Sequence, residues 1–561
     1  MSVAVALNLS EVAMSKCEML GLTSEAPVNV VRESEAVVCD ASKCETIIQI
    51  GVFFDGTGNN LDEDRPRLAL SNIAKLSTSY PEQSALGTAR IYIPGLGTSF
   101  PRIGELGEST FGGAFGSGGE GRLLIAMCSV IDNISDIILN ERWASSAAIN
   151  AMCCPSRPSR SGRRLLEEFG LTASLNGTDH STKCEFFRQQ ISDLREKLTL
   201  RAGPTVKAIV LDIFGFSRGA ATARVFCHWI QQVTRGGKIA GIPLRFRFLG
   251  LMDTVASVGV WDGATNAIFN RTGGHTDWAI PEHMLILPEV KNCIHMVAMH
   301  EIRKNFPLDQ VAVGDVMPEN CHEFAYPGAH SDVGGGYAPG GLGLAIGDSP
   351  EDGDTRKLSQ VPLNHMFECA VAAGTPMSKR TAVTKSKLFE ISPAVDAAFK
   401  EFIQLSPQGK QRLSDWMLPY LIWRWKTREQ YTSLDHVRNA KGKDLGHLMA
   451  SHAEFKQDGS RLGLFGDLER SMAFVKEARA NNHSCWLDNA YQPTEMAAHD
   501  RDAWEVWHRV TTAKPTPAEL DNFFDKFVHD SMAGFREKLT EPTGYWRYRR
   551  VFRGGNQPLL T

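Results

Sequence analysis

Gly215-Phe216-Ser217-Arg218-Gly219 can make a nucleophile. A serine at the centre of G-x-S-x-G attacks acyl carbonyls when a sharp strand-to-helix turn lifts its hydroxyl clear of the backbone. The flanking residues supply that turn. Residues 206–214 are mostly apolar and read as a buried strand, and residues 220–226 read as a helix. The two glycines remove Cβ atoms that would collide in so tight a bend. The helix N-terminus presents backbone N–H groups to a negative oxygen, which makes the Arg218 N–H a candidate oxyanion donor.

A serine hydroxyl is a weak nucleophile at neutral pH. It needs an imidazole as base and a carboxylate to hold the imidazole in one tautomer. In α/β hydrolases the chain order is Ser, then acid, then His. Asp253 follows a strand pattern ending in Leu251-Met252, which puts it on the same sheet edge as Ser217. His330 lies in the glycine-rich run Pro327-Gly328-Ala329-His330-Ser331-Asp332-Val333-Gly334-Gly335-Gly336-Tyr337. The bland readings are that Asp253 caps a turn, that His330 is structural, or that Asp332 is the acid. The loop after the first strand, Asp55-Gly56-Thr57-Gly58-Asn59, should give the second oxyanion donor, from Gly56 or a neighbour. The same loop could hold a cation or be a plain turn.

Other motifs fall short. Gly116-Ser117-Gly118-Gly119-Glu120-Gly121 matches G-x-G-x-x-G but follows no strand, so it implies no dinucleotide. A mobile wall of the site's mouth is the better reading. His300-Glu301-Ile302-Arg303-Lys304 and His322-Glu323-Phe324-Ala325-Tyr326 each lack the second His of a zinc protease. No cofactor and no metal is expected. Calcium stays open, since the acidic loops show no complete EF-hand pattern.

Positioning these groups takes a sheet. Strand patterns at 46–54, 90–93, 206–214, 244–252, 293–299 and 321–326 alternate with helical ones at about 122–139 and 184–200. That order predicts an α/β-hydrolase-like, doubly wound, mostly parallel sheet with insertions. The alternating Arg245-Phe246-Arg247-Phe248 suggests that the fourth of these strands begins with one exposed face. The basic stretch 157–164 reads as a surface insertion. The expected organisation is a lead-in over 1–45, the catalytic core over 46–375, and a large, mainly helical C-terminal region over 376–561.

The chain has 561 residues, 60 basic against 64 acidic, and 12 cysteines without metal-like spacing. That charge balance argues against a nucleic-acid partner. The cysteines read as mostly reduced thiols, with a Cys39/Cys44 disulfide as a lesser alternative. The N-terminus has no basic n-region, so no signal peptide is expected, and no apolar run is long enough to span a bilayer.

Four motifs together resemble the first family of type VI secretion lipase effectors: 53–59 (FFDGTGN), 215–220 (GFSRGA), 252–259 (MDTVASVG) and 327–337 (PGAHSDVGGGY). Gly112-Gly113-Ala114-Phe115-Gly116 is similar to that family too. The resemblance spans roughly 46–340. It implies an antibacterial phospholipase made in the bacterial cytoplasm and injected into a competitor's periplasm. There it would cleave acyl esters of membrane phospholipids. It also implies a cognate immunity protein and a spike or tube carrier, with Ser217, Asp253 and His330 in the triad positions. The alternatives are a soluble carboxylesterase or peptidase, and an inert delivery module.

A phospholipase needs an apolar surface near its mouth. The segment 416–426, with Trp416, Trp423 and Trp425, could supply it, because Trp favours the headgroup boundary. The competing reading is a buried helix packed on the core.

Overall fold

A computed structural model describes residues 45–106, 117–200, 205–256, 279–303, 306–314, 316–379, 387–406, 413–480, 498–535, 544–553 and 557–559. The lead-in before Glu45, the Cys39/Cys44 pair, the loop glycines 112–116 and residues 257–259 of the Asp253 motif lie outside them.

The chain runs through β1 (Glu45–Phe54), β2 (Thr88–Ile93), β3 (Thr205–Phe216), β4 (Lys238–Ile239), β5 (Ile242–Met252), β6 (Val290–Ala298), β7 (Leu308–Gln310) and β8 (Cys321–Tyr326). The main sheet has the order β2-β1-β3-β5-β6-β8, and every neighbour in that path is parallel. Only β4 is antiparallel, on the start of β5. The chain leaves β1 for β2 on one flank and returns to β3 on the other. The strand order therefore reverses between β1 and β3, and a crevice opens there at the carboxyl ends.

Both faces of the sheet are covered, and alternate residues choose the face. Ile50, Val52 and Phe54 of β1 and Leu211 and Ile213 of β3 pack with the helices Ser117–Leu139, His180–Thr199 and Arg218–Val233. Phe53, Phe214 and Phe248 point the other way, into a second cluster. That cluster is built from Gln360–Ala373, Pro393–Leu405, Leu413–Thr427 and Ala518–Phe527. The helices Asn72–Ser79 and Gln360–Ala373 lie against the strands on that face, and helices of the C-terminal region join the same cluster. The C-terminal region also completes a separate three-stranded sheet: β9 (Val551–Arg553) pairs parallel with β7, and β10 (Gln557–Leu559) pairs antiparallel with β9.

Two expectations change. Arg247 is not on an exposed face. It is buried, with Nε 2.8 Å from Asp212 Oδ1, and the Tyr80 hydroxyl donates to Asp212 Oδ2 at 2.8 Å. A central strand has neighbours on both faces, so its charges must be paired inside. Trp416 and Trp423 do not offer a lipid-facing surface either, since each is only 2 % exposed. Trp423 packs on Tyr420 and Phe524, while the half-buried Trp425 meets Trp546 with 5.5 Å between ring centroids. Arg424, the basic end of that segment, is buried on Asp530. Among the described residues no helix is long and apolar enough to cross a membrane.

Candidate active site

Ser217 stands between β3 and the helix Arg218–Val233 with φ 57° and ψ −125°. That backbone region is costly for any residue with a Cβ and persists only where its surroundings enforce it. Here they do. Ser217 N–H donates to Met252 O at 2.9 Å, and Val255 N–H donates to Ser217 O at 3.2 Å. A Cβ on Gly215 would lie 2.5 Å from Gly219 O, and one on Gly219 would lie 2.3 Å from Phe54 O. Both glycines are needed because backbones touch across the turn. The helix begins directly after Ser217, whose carbonyl accepts the Ala220 N–H at 3.0 Å.

Asp253 follows β5, also with a positive φ of 39°, and is fully buried. Its backbone N–H donates to Met296 O at 2.7 Å, and its Oδ1 accepts from Ala298 N–H at 2.8 Å. His330 follows β8 at the start of the short helix His330–Gly334. Its Nδ1–H donates to Asp253 Oδ2 at 2.6 Å. The imidazole lies between Phe216 and Phe306, with ring centroids 4.6 and 4.9 Å away. Its backbone N–H donates to Glu301 Oε2 at 3.2 Å. The structure therefore joins Asp253 to His330 and sets Phe216, the neighbour of Ser217, against the ring. Among the described residues Ser217 Oγ and His330 Nε2 have no hydrogen-bond partner, a gap that in free enzymes often closes only when substrate binds.

The electrostatics favour a neutral imidazole beside an ionised acid. Burial pulls the His330 pKa down, and the hydrogen bond and charge of Asp253 only partly restore it. Burial would raise Asp253, but the Arg549 guanidinium and His330 outweigh it and hold the carboxyl well below the usual range. Glu301 is held at about 2, because Arg303 more than offsets the effect of burial.

The loop after β1 departs from expectation. The Gly56 N–H is taken by Asp55 Oδ1 at 2.7 Å, so it is not free to face an oxyanion. Asp55 also accepts from Ser71 Oγ and Tyr92 OH, each at 2.5 Å, which fills the carboxylate with donors rather than leaving it for a cation. Burial raises its pKa to about 6 despite those bonds. Thr57 differs: among the described residues its N–H has no acceptor and its Oγ1 is a buried atom with no partner. The loop abuts the elbow, since a Cβ on Gly56 would lie 2.3 Å from the Phe216 ring.

Asp332 does not bond the His330 imidazole. It accepts from Ala329 N–H at 2.9 Å and from His529 Nδ1 at 2.6 Å. Three side chains at the site escaped sequence reasoning: Glu301, Thr57 and Arg549. Glu301 was visible only as part of a failed zinc motif.

Residues 235–369 match the family described as T6SS, Phospholipase effector Tle1-like, catalytic domain. That stretch holds Asp253 and His330, and Ser217 precedes it. No curated protein matches the chain by sequence. Among solved structures, the crystal structure of an uncharacterized protein from Pseudomonas aeruginosa is similar at TM-score 0.65 and 24% identity, covering 91% of this chain and 80% of that one. The structure of the Tle1 effector bound to the VgrG spike from the type 6 secretion system aligns at TM-score 0.32 and 20% identity, covering 67% of this chain and 83% of that one. The first likeness supports the fold, and the second is too loose to add to it. Over residues 235–369, then, this chain is similar to the catalytic domain of the Tle1-like phospholipase effectors of type VI secretion.

Proposed function

We propose that this protein is a phospholipase A-type serine hydrolase with Ser217, Asp253 and His330 as its triad. The observation that carries the reading is the 2.6 Å bond from His330 Nδ1 to Asp253 Oδ2, at the same sheet edge as a serine in a strained elbow. With Nδ1–H committed to Asp253, His330 Nε2 is the free base. It takes the proton of Ser217 as Oγ attacks the ester carbonyl. The Arg218 N–H and the Thr57 N–H, in place of Gly56, receive the oxyanion. His330 then protonates the leaving alcohol, and water, activated by the same nitrogen, releases the fatty acid. No cofactor is invoked in these steps.

The likeness of residues 235–369 to the effector family's catalytic domain supports export by a type VI apparatus on a spike or tube carrier. On this reading the target is phospholipid at a competitor's periplasmic membrane face, and the producer holds an immunity protein. The test is mass spectrometry of products from mixed phospholipid vesicles. Wild type should release free fatty acid and lysolipid, and Ser217→Ala should release about 10⁴-fold less or below. Equal product from the folded variant would overturn the assignment.

A further inference from the structure

The C-terminal end of the chain reaches back to the acid of the site. Arg549 lies just before β9, whose pairing with β7 in the small second sheet anchors it. Its Nη1 donates to Asp253 Oδ2 at 2.8 Å, its Nη2 to Asp253 Oδ1 at 2.7 Å, and Nη2 also to Ala298 O at 2.8 Å. Both partners are buried. A bidentate guanidinium fixes the plane of a carboxylate as well as its charge. That plane decides where Oδ2 points, and Oδ2 is the atom that receives His330 Nδ1–H. A second grip comes from His529. Its backbone N–H and Nδ1 both reach Asp332, which holds the turn opening at Ala329 just before His330.

We infer that Arg549 is a positioning residue for ester hydrolysis: the C-terminal segment sets the Asp253 carboxylate plane, and so the tautomer and aim of His330. This rests on the reading of Ser217, Asp253 and His330 as a triad. Catalysis then depends on residues almost 300 positions beyond Asp253 in the chain. The charged groups facing the pair are Arg549 before β9, His295 in β6, Glu301 and Arg303 after β6, and Arg224, which reaches Thr254 from the elbow helix.

The test compares Arg549→Gln, Arg549→Lys and Arg553→Gln in the full chain. R549Q removes the positive charge that opposes protonation of His330. Its kcat should fall about tenfold or more with KM little changed. Its acidic limb of kcat/KM should move up by about half a pH unit or more. R549K keeps the charge but not the bidentate fork, so kcat should fall while the limb stays in place. Arg553 lies in β9 itself and bonds Gln310 Oε1 rather than Asp253, so R553Q should leave rate and limb unchanged. The downfield Nδ1 proton resonance of His330 reads the same bond without turnover and should shift in R549Q. A folded R549Q with wild-type rate, limb and resonance overturns the inference. If R549Q does not fold, R549K with wild-type kcat overturns it. An inactive wild type whose resonance still responds to R549Q would instead overturn the hydrolase reading.

Discussion

Of the buried carboxylate–imidazole pairs among the described residues, two lie side by side at this sheet, and they differ at one nitrogen. His330 gives Nδ1–H to Asp253, and among the described residues its Nε2 has no hydrogen-bond partner. His295 gives Nδ1–H to Glu323 Oε2 at 2.8 Å, and its Nε2 accepts the Thr254 N–H at 3.1 Å. The Thr254 hydroxyl, also 3.1 Å from Nε2, receives Arg224 Nη2 at 3.0 Å. Carboxylate, imidazole and hydroxyl thus occur twice. In the inner set the second imidazole nitrogen already has partners and the threonine is fully buried. That set fastens the residue after Asp253 to the sheet. The outer set lies against Phe216, the neighbour of a serine held in a strained turn. Neither a buried pair nor an unpartnered second nitrogen marks the candidate site by itself, since His529 beside Asp332 has both; the serine in its strained elbow is what sets the outer set apart.

The comparison can be broken by exchanging the consequences. His330→Ala should lower turnover by about 10⁴-fold while circular dichroism stays native. A loss under tenfold would remove the distinction between the pairs. Glu323→Gln should do the reverse, lowering the urea-derived stability by about 2 kcal/mol while the folded enzyme keeps kcat within about threefold. A catalytic collapse at unchanged stability would make the inner pair the active one.

The smallest expected effect is in pH. Burial lowers the pKa of both histidines, and the neighbouring carboxylates only partly restore it. Both are therefore neutral when folded at neutral pH and protonate more readily when unfolded. Their stabilising contribution is present above the unfolded value of about 6.5 and is lost as pH falls below it toward the folded values. The rate limb belongs to His330 alone and should also lie below about 6.5. E323Q should alter the stability profile and leave the rate limb in place. A limb that moved in E323Q would tie the two pairs together.

Local geometry is what the sequence makes readable. The elbow is legible because contacts between neighbouring turns of backbone demand Gly215 and Gly219 at fixed spacing around Ser217. Asp253 and His330 are legible because a strand end and a glycine-rich loop put them on one edge. Side-chain choices made by the fold are not readable in this way. Gly56 and Thr57 are equivalent in sequence terms, and only the Asp55 carboxylate, turned onto the Gly56 N–H, separates them. Tryptophans at 416 and 423 have the composition of an interface, and their packing against the second face of the sheet makes them core. Arg247 reads as exposed until Asp212, on the adjacent strand, is seen beneath it. Arg549 gives no local signal, since its partner lies 296 residues away.

The central claim is that Ser217 is a nucleophile activated by His330, and covalent capture tests it most directly. Folded wild type treated with a fluorophosphonate should gain one adduct, mapped by peptide mass spectrometry to Ser217, with capture slowed strongly in His330→Ala and absent in Ser217→Ala. Folded wild type that stays unlabelled, or that carries the adduct on another residue, would contradict it.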